Sequence, residues 1–221
     1  MNGLLVINKE KGWTSFDVVA KIRNKLGVKK VGHTGTLDPM ATGVLVLCLG
    51  KATKLAQKIV DTKKEYIAEI TFGATSTTDD AEGVITKSKI PNPKNKEDIN
   101  QALKNFEGTI MQMPPQFSAK KVGGKRAYKM AREGKKVELK PVEITIHELE
   151  ILDYKWPILK IRVACSKGTY LRSLARDLGE KLKVGGYLTA LQRTRVGQYS
   201  LDQAVRIEEA GENSVIQLSE P

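Results

Sequence analysis

The sequence predicts a mixed α/β (α+β) fold: a central mixed, largely antiparallel sheet flanked by helices, with one inserted arm. Three observations lead there. Several segments carry apolar residues at helical spacing, alternating or fully apolar runs of strand length lie between them, and hairpin-length and crossover-length links both occur. At 221 residues the chain suffices for one large domain or two small ones with ample core.

Residues 3–7 form an apolar run that reads as a first strand. Thr14 and Asp17 make a capping-box pair that opens a helix whose apolar side includes Phe16, Val19, Ile22 and Leu26, and Gly27 closes it. After a glycine-rich loop, residues 44–49 are short and wholly apolar, the signature of a buried strand. Residues 51–60 suit a short amphipathic helix. Residues 66–72 alternate, so that Tyr66, Ala68, Ile70 and Phe72 share one face, and 75–83 read as a polar loop. Ile99, Leu103 and Phe106 define a helix over 96–106, and 108–112 another strand stopped by Pro114-Pro115. Residues 141–152 and 158–165 read as core strands. Leu171, Leu174, Ala175, Leu178 and Leu182 form a helical stripe, and Gly185-Gly186 turns the chain into an alternating strand over 187–196 that carries Arg193 and Arg195.

The formal net charge is +12, from 37 Lys+Arg against 25 Asp+Glu, which points to a polyanionic partner. The excess is local. Residues 119–140 hold nine Lys/Arg and two Glu, whereas 202–221 hold one Arg and five acids. The stretch of about 112–141 has too few large apolar residues for its own core, so it reads as an inserted basic arm. Lys120, Lys121, Lys125 and Arg126 in it are candidate nucleic-acid contacts, although a solvated charged face has the same composition. No apolar run spans a bilayer, and no secretory signal pattern opens the chain; no membrane association and a cytoplasmic location are expected. Cys48 and Cys165 sit in apolar strand patterns and read as buried thiols rather than a disulfide. Two histidines, no CxxC pair, and no Walker A, GxGxxG or GxSxG pattern leave neither a metal nor a cofactor expected.

The most informative stretch is Val31-Gly32-His33-Thr34-Gly35-Thr36-Leu37-Asp38-Pro39. It places one carboxylate, Asp38, among glycines and hydroxyls, with no second acid beside it. Pro39 fixes its own φ and biases Asp38 away from the helical region, so the loop is held open. Glycines 32, 35 and 43 permit close approach or positive φ. A lone aspartate on a rigid loop against a core strand suits covalent or electrostatic chemistry at a fixed point. The same residue types also build ordinary Asx-turns, so composition alone favours a structural turn.

Four features, in order along the chain, resemble the bacterial tRNA pseudouridine-55 synthases. They are the Asp38 loop, the Tyr66 strand, the Gln112-Met113-Pro114-Pro115-Gln116-Phe117-Ser118-Ala119-Lys120 run, and Cys165-Ser166-Lys167-Gly168-Thr169-Tyr170-Leu171-Arg172. Asn8-Lys9 with Gly12, Thr14 and Ser15, and Leu191-Gln192-Arg193-Thr194, extend the resemblance to roughly residues 3–200. Guide-dependent relatives share a similar Asp loop, but residues 121–134 look like the stand-alone tRNA enzymes.

The resemblance implies a pseudouridine-synthase fold and an isomerase that converts a T-loop uridine of tRNA to its C-glycoside isomer. It implies no cofactor, no obligatory protein partner and a monomer. Asp38 matches the catalytic aspartate, Arg172 the residue that pairs with it, and Tyr66 the tyrosine that packs on the target base. Tyr170 and Leu191 match walls of the uracil pocket, His33 a residue set against the T-loop, and Lys9 and Asp80 further substrate-side positions. The arm would grip the T-arm backbone. Residues 1–204 are expected to form the catalytic domain and 205–221 a short acidic tail, without the C-terminal RNA-binding domain of longer members. The chain departs from the family pattern at Glu10, where proline is common, and at Thr77, where an acid is usual.

Overall fold

The computed structural model describes residues 1–88, 94–135 and 137–217. In chain order the elements are β1 (Gly3–Lys9), α1 (Ser15–Lys25), β2 (Val31–His33), β3 (Thr42–Leu49), α2 (Ala56–Val60), β4 (Lys64–Phe72), β5 (Ala74–Ser76), β6 (Ile85–Lys87) and α3 (Lys96–Leu103). There follow β7 (Gly108–Gln112), β8 (Lys121–Val122), β9 (Lys125–Arg126), α4 (Ala127–Arg132), β10 (Val142–Lys155), β11 (Ile158–Cys165), α5 (Leu171–Lys181), β12 (Gly186–Val196) and β13 (Tyr199–Ser200). The chain divides into two units, 1–67 with 191–221 and 68–190, the divisions falling inside β4 and β12.

The first unit is built on the apolar runs of β1 and β3, which pair antiparallel from Gly3↔Leu49 to Lys9↔Gly43. The end of β12 adds to β3 in parallel, with Gln192 opposite Thr42 and Arg193 opposite Gly43. Leu4, Val6, Val44, Val46, Cys48, Ala52, Ile59 and Val196 pack as one core cluster. Helix α1 opens with the expected box: the Asp17 N–H donates to Thr14 Oγ1 at 3.1 Å and the Thr14 N–H to Asp17 Oδ2 at 3.0 Å. Its buried face is Ser15, Val18, Val19 and Ile22. Phe16, expected on that face, is instead 70% exposed, because the stripe that meets the core runs through Val18 and Ile22. The helix expected over 51–60 is a 3-10 turn over Gly50–Leu55 followed by the single α-turn of α2, with the Thr53 hydroxyl bonded to the Gly50 carbonyl.

The acidic segment after residue 204 lies along β1. Val205 and Ile216 exchange backbone bonds with β1, at Val6, Asn8 and Leu4, and Ile207, Ala210 and Val215 are buried. Glu208, Glu209 and Glu212 face outward while Ile207, Ala210 and Val215 pack, a periodicity that net charge conceals.

In the second unit the strand order is β12-β4-β11-β10-β7. Alternation in β4 buries Ala68, Ile70 and Phe72, and β10 and β11 form a long antiparallel hairpin with two register shifts. The polar stretch expected as a loop at 75–83 begins in a small hairpin, β5 against β6. In the arm, β8 and β9 pair across Gly123-Gly124, both at positive φ as a tight two-residue hairpin requires. Ala127, Val137 and Leu139 make a small cluster with Val122 and Met130, enough to organise the arm locally. The predicted mixed α/β class is what the structure has, and β2, β5, β6, β8, β9 and β13 are short strands beyond those the sequence predicts. Among the described residues no helix is long and apolar enough to cross a membrane.

Candidate active site

Asp38 stands, half-buried, in the open stretch between β2 and β3. Its carbonyl accepts from the Ala41 N–H at 3.0 Å, closing a turn with Pro39 at the position that proline favours. The loop is fastened on every side within the first unit. The Leu37 N–H donates to Ser15 Oγ at 2.8 Å, and that hydroxyl returns a bond to the Leu37 carbonyl at 3.2 Å. Thr34 donates both its N–H and its hydroxyl to the Val46 carbonyl. His33, half-buried at the end of β2, accepts the Gly35 N–H on Nδ1 at 3.3 Å.

Two buried cations complete the fastening. Lys9 is 0% exposed, and its ammonium donates to the carbonyls of Trp13 at 2.7 Å, Glu10 at 3.0 Å and Pro39 at 3.4 Å. This fully buried ammonium supports the loop beside Asp38 through those carbonyls. Arg193, equally buried, donates Nε–H to the Val44 carbonyl at 2.7 Å and a second guanidinium N–H to the Gly35 carbonyl at 3.1 Å. Tyr66 and Leu191, also in this unit, are buried at 8% and 9% exposure. Cys48 lies in the apolar core beneath, where burial pushes its thiol up to about 11.

The second unit holds Asp80, Tyr170 and Arg172. Arg172 and Asp80 are both buried, with Nε 3.6 Å from Oδ2. The guanidinium also donates to the carbonyls of Phe117 at 3.1 Å and Thr78 at 3.3 Å. Asp80 accepts in turn from the Thr78 hydroxyl at 2.5 Å and the Glu82 N–H at 3.0 Å. Beside them Arg176 binds Asp79 at 2.9 Å and Asp177 at 2.7 Å. Burial raises the pKa of Asp79 and of Asp177, with Arg176 opposing. Burial also works against the charge of Arg176, but the two carboxylates hold its pKa above the ordinary value.

Tyr170 precedes α5 and is held by its backbone. Its N–H donates to Gln112 Oε1 at 2.9 Å while Gln112 Nε2 donates to its carbonyl at 3.1 Å. Gln116 brackets Val137 in the arm in the same way, at 2.9 and 3.0 Å. The amides flanking the Pro114-Pro115 turn thus act as one-residue strand mimics, one placing Tyr170 and the other closing the arm. Lys121, Lys125 and Arg126 are exposed on the arm hairpin, and Lys120 is half-buried. Sequence reasoning assigned no role to Ser15, Gln112, Gln116 or Arg193. Arg193 shares the strand parity of Leu191, a signal that its side chain faces inward.

The fold matches that of the Cbf5 chain in a Cbf5-Nop10-Gar1 complex, with a TM-score of 0.74 at 29% identity over 94% of this chain and 53% of that one. This chain therefore spans about half the length of that solved relative. Two family models match in series, the TruB family pseudouridylate synthase N-terminal domain over 23–171 and the tRNA pseudouridylate synthase B C-terminal domain over 172–217. The tRNA pseudouridine synthase B of Francisella tularensis subsp. tularensis (strain WY96-3418) is 50% identical over 210 residues, 95% of this chain and 70% of its own length. That of Thermobifida fusca (strain YX) is 47% identical over 228 residues, 99% of this chain and 78% of its own. The chain belongs to the TruB family of pseudouridylate synthases.

Proposed function

We propose that this protein isomerises uridine to pseudouridine in the T-loop of tRNA, at position 55, using Asp38 and no cofactor. The carrying observation is the Asp38 loop itself: one half-buried carboxylate on a segment fastened by Ser15, Lys9 and Arg193. The stand-alone tRNA reading is supported by the curated relatives, 47–50% identical and named tRNA pseudouridine synthase B.

The reaction breaks the bond between the ribose C1′ and uracil N1, turns the base over, and joins C5 to C1′. C5 gives up its proton to water and N1, freed from the ribose, takes one up, so the mass is unchanged. A carboxylate serves this by covalent attack at C1′ or by assisting departure of the base. The uridine must leave the stack to be reached, at a cost of a few kcal/mol. Tyr66 packs on the everted base and stands nearest the C5 proton in this reading, with Leu191 and Tyr170 as pocket walls and His33 set against the loop. Arg172, held by Asp80, is the arginine that the family resemblance pairs with the reacting carboxylate. Lys120, Lys121, Lys125 and Arg126 contact T-arm phosphates, which carry no sequence information but fix register. Residues 1–204 act as the catalytic domain, as a monomer without an obligatory protein partner, in the cytoplasm.

The test uses a T-arm hairpin tritiated at uridine C5, with no guide RNA or partner protein added. Wild-type protein releases tritium, and Asp38→Asn loses roughly 10³-fold or more of the rate while retaining RNA affinity. An Asp38→Asn protein as active as wild type would overturn the proposal. Activity that appears only with a guide RNA would assign the chain to the guide-dependent type.

A further inference from the structure

Arg193 is 1% exposed and ranks among the largest fully buried side chains of the molecule. Among the described residues its guanidinium meets carbonyls, of Gly35 and Val44, and no carboxylate. Gly35 lies before Asp38 and Val44 after it, so one planar group clasps the Asp38 loop at both of its ends.

The strand register makes this clasp rigid. Lys9 of β1 and Arg193 of β12 are both opposite Gly43 of β3, so one row of the sheet reads cation, glycine, cation. Gly43 has φ +100, and a Cβ there would stand 2.2 Å from the Arg193 carbonyl oxygen and 2.9 Å from its nitrogen. The backbone of β12 can therefore lie against β3 at this point because residue 43 has no side chain.

Burying a guanidinium is costly, and an apolar side chain of similar volume would fill the same space without that cost. What arginine adds is a flat fork of donors that reaches two acceptors in fixed directions. Both acceptors belong to the segment that carries the reacting carboxylate. We infer that Arg193 is a positioning residue for the pseudouridine reaction: by clasping Gly35 and Val44 it sets where the Asp38 carboxylate stands. This inference rests on Asp38 being the catalytic carboxylate. A displacement of about 1 Å in such a group is enough to cost about 10²-fold in rate.

The experiment compares wild type, Arg193→Lys and Arg193→Gln in the full chain. It measures single-turnover tritium release from the C5-labelled T-arm hairpin, RNA affinity and the thermal midpoint. A lysine keeps the charge but has a single nitrogen where Arg193 uses two, Nε for Val44 and a terminal guanidinium nitrogen for Gly35. Its single-turnover rate falls about 10–100-fold, RNA affinity stays within about twofold, and the protein remains folded at the assay temperature. Arg193→Gln falls at least as far. A folded Arg193→Lys protein reacting at the wild-type rate would overturn the inference. So would a rate loss matched by weaker RNA binding or by a smaller folded fraction, and so would failure of both variants to fold, since each makes the role one of stability or binding alone. Absence of tritium release from wild type would instead remove the Asp38 reading, and this inference with it.

Discussion

In the first unit the buried guanidinium of Arg193 reaches two backbone carbonyls, of Gly35 and Val44. In the second, Arg172 and Arg176 face carboxylates, Asp80 for the one and Asp79 with Asp177 for the other. The difference has a physical consequence. A carbonyl is a fixed dipole that does not titrate, so the clasp on the Asp38 loop holds across the acid range. A buried carboxylate is a second charge, and removing either partner strands the other in a poorly solvating interior. The first arrangement fixes a backbone, and the second fixes a charge.

Mutations of the two cations separate these arrangements. Arg172→Met should be the most damaging to stability, by about 3–5 kcal/mol, because Asp80 is left buried beside an apolar side chain. Combining it with Asp80→Asn should recover part of that loss, measured by urea denaturation as a double-mutant cycle. Arg193→Met should cost less, about 1–3 kcal/mol, since it leaves two carbonyls without donors but no orphan charge. If Arg193→Met proved the costlier, the contrast between carbonyl-held and carboxylate-held cations would fail.

The arm carries a third class of cation, with Lys121, Lys125 and Arg126 exposed to solvent and Lys120 half-buried. Changing Lys120, Lys121, Lys125 and Arg126 together to Ala should leave stability nearly unchanged. The same change should flatten the slope of log affinity for T-arm RNA against log salt by up to about 3–4 units. An unaltered slope would remove the arm from the phosphate contacts.

The smallest effect is expected at Asp79. Burial raises its pKa in the folded state, so the folded protein binds that proton more tightly than the unfolded chain does. Its contribution to stability is therefore fully present below the unfolded pKa of about 3.9 and declines as pH rises through the raised folded value. Asp79→Asn should abolish that decline and change stability at neutral pH by less than about 1 kcal/mol. Asparagine tolerates the φ of 62° found there, and its side-chain oxygen still accepts from Arg176. Thermal midpoints of both proteins between pH 3 and 7 measure the difference.

Much of the fold was legible because it is written in short-range periodicity. The alternation of 66–72 gave β4 its buried face, and the Thr14–Asp17 pair marked where α1 begins. Phe16 shows the limit of that reasoning: helical spacing names several possible faces, and contact with β-strands selects one. The candidate site was legible as residue types in a familiar order, with Asp38 and Tyr66 in the first unit and Arg172 and Tyr170 in the second. The burial of Lys9 was not legible, because its acceptors are backbone carbonyls, which every residue type carries. In residues 205–217 net charge conceals three buried apolar side chains, Ile207, Ala210 and Val215, from any compositional reading.

Local sequence thus settled the order of the longer strands and helices, the capping of α1, the open loop around Asp38 and the basic character of the arm. Each depends on residues within a few positions of one another, where backbone preferences and side-chain period act directly. The partners of the buried polar groups were settled by the folded chain. Arg193 finds Gly35 across 158 positions, and Gln112 finds Tyr170 across 58. A hydrogen bond needs its acceptor within about 3 Å, and such proximity between distant residues exists once the strands have paired and the register is set.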